Sequence, residues 1–391
     1  MVTPPLIPTG STPARHRWRG LHLDSARTFW PPDVVLELLD VMARYRLNRL
    51  HWHLTDDAGW RFAVPDYPLL LTVAAQLPRE RFSWYTNVNH DKRRAALDAA
   101  PDSSTRGWYR DEDIRRIVAH AKDVGIEIMP EVDLPGHMAA AIRAYPELGD
   151  PSLVGVEPDT WPHRNDLLWP GERSEAFLRA VLDHVATLFS FEYVHVGGDE
   201  CNHSAWRADE ALMRTVDGDP LALHRHFMQF ARTHLRGLGR RTAVWDEAVD
   251  SGLAGDELVF AWRDEQRVLA AAHSGNPWVF AEASYLYLNH LSGPEEDEPA
   301  GMREIITARD VLEAPVPDSA VGVQAACWTE FITDRAGLHY HLFPRLLAVA
   351  ELAWNGPSTS WHTFAPALAH EMKVLHELGI GGRSISMDAC G

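Results

Sequence analysis

Short strand-like runs recur along the chain, and longer stretches of helical periodicity separate them. The strand-like runs are GLHLD (20–24), RLHWHL (49–54), IEIMPEVD (126–133), YVHVGGDE (193–200), RTAVWDE (241–247), ELVFAW (257–262), WVFAEASYLYL (278–288) and VGVQAACWTE (321–330). Between them, DVVLELLDVMARY (33–45), DIRRIVAHAKDVG (113–125), SEAFLRAVLDHVATLF (174–189) and ALHRHFMQFARTHLRGLG (222–239) place apolar residues at helical spacing. Strands that alternate with helices predict a parallel sheet, and eight such units predict a closed (β/α)8 TIM barrel of the α/β class. The segments joining strands five to six and seven to eight are irregular, so one or two degenerate helices are expected there. LFPRLLAVAELAW (342–354) follows strand eight, and WHTFAPALAHEMKVLHELG (361–379) predicts a last helix packed on the barrel. Residues 1–18 read as a tail rich in Pro, Ser and Thr, and residues 19–391 as one domain including that helix. The segment 71–107 matches neither pattern and reads as a lid or a homodimer contact.

Polar residues collect just beyond the strand ends. Asp24 and Arg27 follow strand one, Asp56 and Asp57 strand two, Asp133 and His137 strand three, and Asp199 and Glu200 strand four. Trp245 and Asp246 end strand five, Trp262 strand six, Tyr287 and Asn289 strand seven, and Trp328 and Glu330 strand eight. Barrel enzymes build their sites from the loops at this face. Delivery of acids, aromatics and one histidine to one rim is the physical argument for an enzyme.

Composition narrows the partners. A net charge of −18 over 391 residues disfavours nucleic acid and anionic membrane surfaces, both of which need a basic face. No apolar run approaches the ~18 residues of a membrane span. Cys201, Cys327 and Cys390 show no metal or disulfide spacing. The first residues lack the apolar core of a signal peptide, so a cytoplasmic protein is expected, or a secreted one if a leader precedes this sequence. Arginine greatly outnumbers the three lysines (Lys92, Lys122 and Lys373), as in proteins of GC-rich bacterial genomes.

Tryptophan faces suit the apolar faces of sugar rings, and carboxylates with arginine suit their hydroxyls. Carboxylates as the strong acid–base groups suit glycoside hydrolysis, in which retaining enzymes hold two carboxyls about 5–5.5 Å apart across the bond. Asp199 and Glu200 are adjacent, and on a continuing strand they point to opposite faces. Their alternative is a solvated pair at a strand end. If they work together, one of them does something other than nucleophilic attack.

The segments RGLHLDSART (19–28), NRLHWHLTDDAGWR (48–61), IMPEVDLPGHMAAAIRAYPEL (128–148), HVGGDE (195–200), VWDE (244–247) and CWTE (327–330) together resemble glycoside hydrolase family 20, the β-N-acetylhexosaminidases. The resemblance implies an exo-acting retaining enzyme that removes terminal β-linked GlcNAc or GalNAc by substrate-assisted catalysis. It implies that Glu200 is the general acid, with a raised pKa. Asp199, kept charged, would turn the substrate's 2-acetamido group onto the anomeric carbon, giving an oxazolinium intermediate. Asp56 and His137 would form a relay holding Glu200. Arg27 would bind O3 and O4, Tyr287 the acetamido oxygen, and Glu330 O4 or O6. Trp245, Trp262 and Trp328 would box the acetamido methyl. The partner is an N-acetylhexosamine-containing oligosaccharide or glycoconjugate, and no metal or organic cofactor is implied. Met302 falls where many relatives carry Trp. Asn289, followed by His290, stands where many carry Asp, which predicts tolerance of a negative charge near O6, helped by His290 as pH falls through ~6.5.

Two rivals remain at this stage. HWH (51–53) resembles a metal-ligand pair of amidohydrolases. A sugar-binding barrel without catalysis is the other. Asp57 and Asp133 read as structural acids tying loops through backbone N–H groups, and His224 and His226 as helix surface.

Overall fold

The computed structural model describes residues 13–76, 90–99, 106–155 and 166–384. Eight parallel strands close a barrel: β1 (Trp18–Asp24), β2 (Arg49–His53), β3 (Glu127–Leu134), β4 (Tyr193–Gly197), β5 (Arg241–Trp245), β6 (Leu258–Ala261), β7 (Trp278–Phe280) and β8 (Gly322–Cys327). Each strand pairs with its neighbours in sequence, and β8 closes onto β1. The expected barrel is therefore present, and each of its strands lies within or close to an expected run.

The helices follow from amphipathic spacing. Helix α1 (Pro32–Arg44) turns Val34, Val35, Leu38, Leu39, Val41 and Met42 onto the sheet. Pro32 stands at its first position, where a missing N–H costs nothing. Helices α2 (Asp111–Asp123), α3 (Glu172–Leu188) and α4 (Pro220–Gly237) follow β2, β3 and β4. Helix α5 (Ala248–Ser251) is a single turn, and between β7 and β8 only short pieces occur, among them α7 (Ala308–Leu312). The degenerate helices thus fall where irregular sequence predicted them. Helix α6 (Glu265–His273) joins β6 to β7.

Three expectations change. The chain packs on the barrel before residue 19: Arg15 and His16 donate backbone N–H groups to Trp354 and Ala353, and Trp18 opens β1. The expected strand 278–288 stops at Phe280, and a helical turn (Ala283–Leu286) follows it. Tyr287 then forms a lone bridge with Ala326 of β8, which carries its ring over the barrel mouth. The segment 342–354 follows β8 as expected: its helix α8 (Arg345–Asn355) is separated from the helix Arg335–Leu342 by Phe343 and Pro344, and proline has no N–H to donate. His224 is buried, because α4 buries the stripe Leu223, His224, Phe227, Met228, Ala231 and Leu235 and the histidine shares it. The last helix, α9 (Trp361–Glu377), lies as expected. Much of the segment 71–107, and Cys390, lie outside the described residues.

The barrel interior is unusually polar. Register aligns Asp24 with His53, His53 with Glu131, and Glu131 with His195, so one row of titratable residues crosses four adjacent strands. His22 and His51 pair in the row below. All six side chains are fully buried. Branched apolar residues usually fill this space. Buried charge is tolerated only where it is paired, and Glu131 provides the pairing.

Candidate active site

A cavity of about 220 Å³ opens at the C-terminal mouth of the barrel, lined by Arg27, Asp56, His137, Asp199, Glu200, Trp262, Tyr287, Asn289, His290, Met302, Trp328 and Glu330. It is smaller than the ~300–1,000 Å³ of drug-sized sites and suits a single sugar ring.

Local backbone geometry explains the acid pair. β4 ends at Gly197, and Gly197 and Gly198 take φ of 65° and 92°. A Cβ on Gly197 would sit 1.5 Å from Asp133 Oδ1, so only glycine lets the loop cross that carboxylate. Glu200 itself has φ of 47°, a conformation uncommon outside glycine. The turn separates the two acids: the Asp199 side chain is 10% exposed and that of Glu200 60%.

The electrostatics of Asp199 depart from expectation. Burial pushes the Asp199 carboxyl well above the ordinary carboxylate range, Asp133 and Glu131 add like charge, and His137 opposes them. The buried acid of the pair is therefore Asp199, not Glu200. Glu200 stands at the cavity mouth. Contrary to expectation, the Asp133 side chain ties no backbone N–H group. Both its oxygens are buried without a hydrogen-bond partner, and burial pushes its pKa up to about 7.

His137 links the acids. Its Nε2 lies 3.6 Å from Glu200 Oε2 and 3.7 Å from Asp199 Oδ2. Its Nδ1 faces Asp57 Oδ2 at 3.2 Å and Asp56 Oδ1 at 3.7 Å. The nearer partner is thus Asp57, whose other oxygen accepts the Ala139 N–H as the sequence suggested. Burial pulls the His137 pKa down, but Asp56, Asp57 and Asp133 hold it well above the ordinary histidine value.

Asp56 is the hub of a longer chain. It pairs with Arg27 Nη2 at 2.9 Å and with His53 Nε2 at 2.9 Å. The other His53 nitrogen, Nδ1, lies against Glu131 Oε2. An imidazole between two carboxylates is stable as the cation, and these two acids raise the His53 pKa well above 6.5 despite burial. Burial pushes Glu131 up, yet His53, His195 and His51 hold it well below the carboxylate range. His53 and Glu131 were not recognised as site residues. The signal was the inward spacing of HWH on β2 and of EVD on β3.

The same cluster answers the metal rival. Trp18 Nε1 donates to Gln324 Oε1, and an indole can only donate. Gln324 must then turn its amide N–H toward His51 Nδ1, 3.0 Å away. With Nδ1 accepting, the neutral His51 ring carries its proton on Nε2, which faces Glu131 Oε2 at 3.1 Å. That tautomer presents a proton to the carboxylate, not a lone pair to a metal.

The tryptophans divide. Trp262 stacks on Tyr287 at 5.8 Å and 10°, and Arg27 lies 5.0 Å over the Trp328 ring. Trp262 Nε1 donates to Glu247 Oε2 at 3.0 Å. Glu247 was missed as a site residue, although VWDE contains it. Burial, with Asp199 and Asp246 nearby, raises its pKa to about 8. Trp245 does not line the cavity, contrary to its expected place in the box. It is 1% exposed beneath Trp328, and its Nε1 donates to Glu131 Oε1 at 2.8 Å.

Asn289 lines the wall with its Oδ1 buried and unpartnered, and Met302 and Glu330 complete it. His290 does not charge near 6.5, because burial lowers its pKa to about 4. That half of the expected O6 preference is withdrawn.

The chain matches known sequences over most of its length. The family profile described as "Glycosyl hydrolase family 20, catalytic domain" covers residues 16–357. Similar proteins include a Beta-hexosaminidase of Porphyromonas gingivalis, 32% identical over 86% of this chain and 43% of that protein. A Beta-hexosaminidase of Vibrio furnissii is 31% identical over 86% and 56% of the two chains. A Vibrio harveyi GH20 exo-β-N-acetylglucosaminidase, solved in complex with N-acetylglucosamine, superposes with a TM-score of 0.82. It is 30% identical, over 95% of this chain and 59% of that one. The chain thus spans about half the length of the first two relatives. On the barrel, the site at its mouth and these matches, the chain belongs to glycosyl hydrolase family 20, as its catalytic domain.

Proposed function

We propose that this chain is an exo-acting, retaining β-N-acetylhexosaminidase that releases terminal β-linked GlcNAc or GalNAc from oligosaccharides or glycoconjugates. The observation that carries the reading is the division of one acid pair, with Asp199 buried in a sugar-sized cavity and Glu200 at its mouth. Asp199 accepts the acetamido N–H and aligns that group's oxygen with the anomeric carbon. The oxygen attacks as Glu200 gives its proton to the glycosidic oxygen and the C–O bond breaks. A positive oxazolinium forms, which the Asp199 carboxylate offsets. Water then opens it as the Glu200 carboxylate takes the water's proton, and two inversions leave the configuration retained. Tyr287 directs its hydroxyl at the acetamido oxygen, and Trp262 and Trp328 flank the methyl. The similarity to hexosaminidases supports the same reading.

The test is turnover of aryl β-GlcNAc and β-GalNAc, with the product anomer followed by NMR. The first-formed product is expected to be the β-anomer. An aryl β-glucoside, which lacks the internal nucleophile, is expected to lose roughly 10⁴-fold or more in kcat/KM. An α-product, or a glucoside turned over equally well, refutes the reading.

A pH dependence follows from Asp133. Its like charge helps raise the Asp199 pKa, and activity requires ionised Asp199. The acidic limb of kcat/KM therefore rises through the raised Asp199 pKa. In Asp133→Asn the limb is expected to move to lower pH; a limb that stays fixed or moves upward would separate the two acids.

A further inference from the structure

A second cluster lies behind the acid pair, outside the sugar cavity. Cys201 follows Glu200 directly, His203 precedes the short helix Ser204–Ala208, and His224 projects from α4. Each offers one donor atom, and these three atoms lie within 4.8 Å of one another. Nε2 of His203 and Nε2 of His224 are buried without a hydrogen-bond partner. His224 is 3% exposed, so bulk solvent does not reach its unpartnered nitrogen. The His203 ring is fixed by stacking on Trp206 at 5.3 Å and 9°.

We propose that Cys201, His203 and His224 form a binding site for a borderline-soft divalent cation, with the selectivity of Zn²⁺, and that its occupation slows turnover at the adjacent acid pair. One thiolate and two imidazoles are the donor set zinc favours, and three protein ligands leave a fourth position open. Bond lengths of about 2.3 Å to sulfur and 2.0–2.1 Å to nitrogen put tetrahedral donors about 3.3–3.6 Å apart, so the cluster needs only a small contraction.

The surroundings favour a cation. A cavity of about 380 Å³ reaches the cluster and is also lined by Glu200, Glu247, Asp250 and Arg263, the arginine being paired with Asp246 and Glu247. Both rings turn a buried nitrogen without a hydrogen-bond partner toward the cluster, so each has a donor atom to offer. Binding releases the Cys201 proton to solvent: one S–H bond breaks, one S–Zn bond forms, and no electrons change hands.

Occupation ties the catalytic loop to α4. The Cys201 thiol now donates to the Asp199 carbonyl oxygen at 3.3 Å, and a bound ion replaces that contact. With that contact gone and the loop tethered, the backbone that places Asp199 and Glu200 shifts, which is how occupation slows turnover. This consequence rests on the glycosidase reading; the binding itself does not.

The test uses the metal-stripped full chain. Calorimetric titration with ZnCl₂ is expected to give one ion per chain, and Co²⁺ a thiolate-to-cobalt charge-transfer band. MgCl₂ should give neither. Cys201→Ser should abolish the band, and His203→Asn and His224→Gln should each weaken zinc binding by at least about 100-fold, beyond the 10–100-fold that loss of an outer partner costs. His203→Asn and His224→Gln should keep the metal-free rate on aryl β-GlcNAc and resist zinc, whereas the wild type is inhibited and recovers with EDTA. No zinc binding, no thiolate band, or binding equal in all three variants would overturn the site. Occupation that leaves wild-type turnover intact would overturn its effect. If the wild type turns over no glycoside at all, calorimetry and the cobalt band still decide the site.

Discussion

Glu200→Gln is expected to lower kcat for substrates with poor leaving groups by about 10²–10⁴-fold, the usual contribution of a positioned general acid. Glutamine keeps the shape of the side chain at the cavity mouth but has no proton to give. An aryl glycoside with a strongly acidic phenol leaves without that proton, so its bond-breaking step should suffer far less. The second step still needs Glu200 as a base, and added azide should restore turnover by replacing activated water. Asp199→Asn is expected to lose a similar factor for every leaving group, because it removes charge that meets the oxazolinium. The buried position of Asp199 makes that charge effective, since water does not screen it. Measuring kcat and kcat/KM across a series of phenols separates the two variants. Equal sensitivity to leaving group in both would contradict the division of labour.

The largest stability change is expected at Glu131, far from any sugar contact. Glu131→Gln is predicted to cost about 3–5 kcal/mol, the penalty for removing one partner of a buried ion pair. Its carboxylate accepts from Trp245 Nε1, lies 2.8 Å from His195 Nδ1 and 3.1 Å from His51 Nε2, and balances the His53 cation. The amide can satisfy only part of this set and leaves His53 with one carboxylate. Thermal or urea unfolding at constant pH measures the loss. The pH dependence has a definite sign. Glu131 is depressed from its ordinary 4.5, so its stabilisation is present above that pH and fades as pH falls through the lower folded value. His53 is raised above 6.5, so its share is complete below 6.5 and fades as pH rises through the higher folded value. Asp133, raised to about 7, is a further source of stability lost as pH rises through that value. The wild type should therefore be most stable on the acidic side of neutrality, and Glu131→Gln should flatten the profile. A variant within 1 kcal/mol of the wild type by the same measurement would show that the network is not what holds the barrel interior.

The sequence by itself carried the barrel, because period-two and period-3.6 patterns are local properties that each element repeats along its own length. It carried the rim as well: a residue just past a strand end is at the barrel mouth whatever its neighbours do, so Arg27, Asp56, His137, Asp199, Glu200, Trp262, Tyr287, Asn289, Trp328 and Glu330 meet in one cavity. Family resemblance supplied the roles, which spacing alone left open. What the sequence left undecided depends on contacts between elements distant in the chain. Register across β1 to β4 lines up Asp24, His53, Glu131 and His195, and no single strand reveals that row. Trp245 follows the same inward logic as the rim residues but sits one layer too deep, and only the barrel's depth tells the two apart. The acid that is buried, Asp199 and not Glu200, was decided by a turn at Gly197 and Gly198 that packs against Asp133 on the neighbouring strand. His224 belongs to an amphipathic stripe that one helix can show, but its meeting with Cys201 and His203 required the packing of α4 against the loop after β4. Burial, charge pairing and donor geometry are sums over many segments, so they become fixed only when the barrel closes.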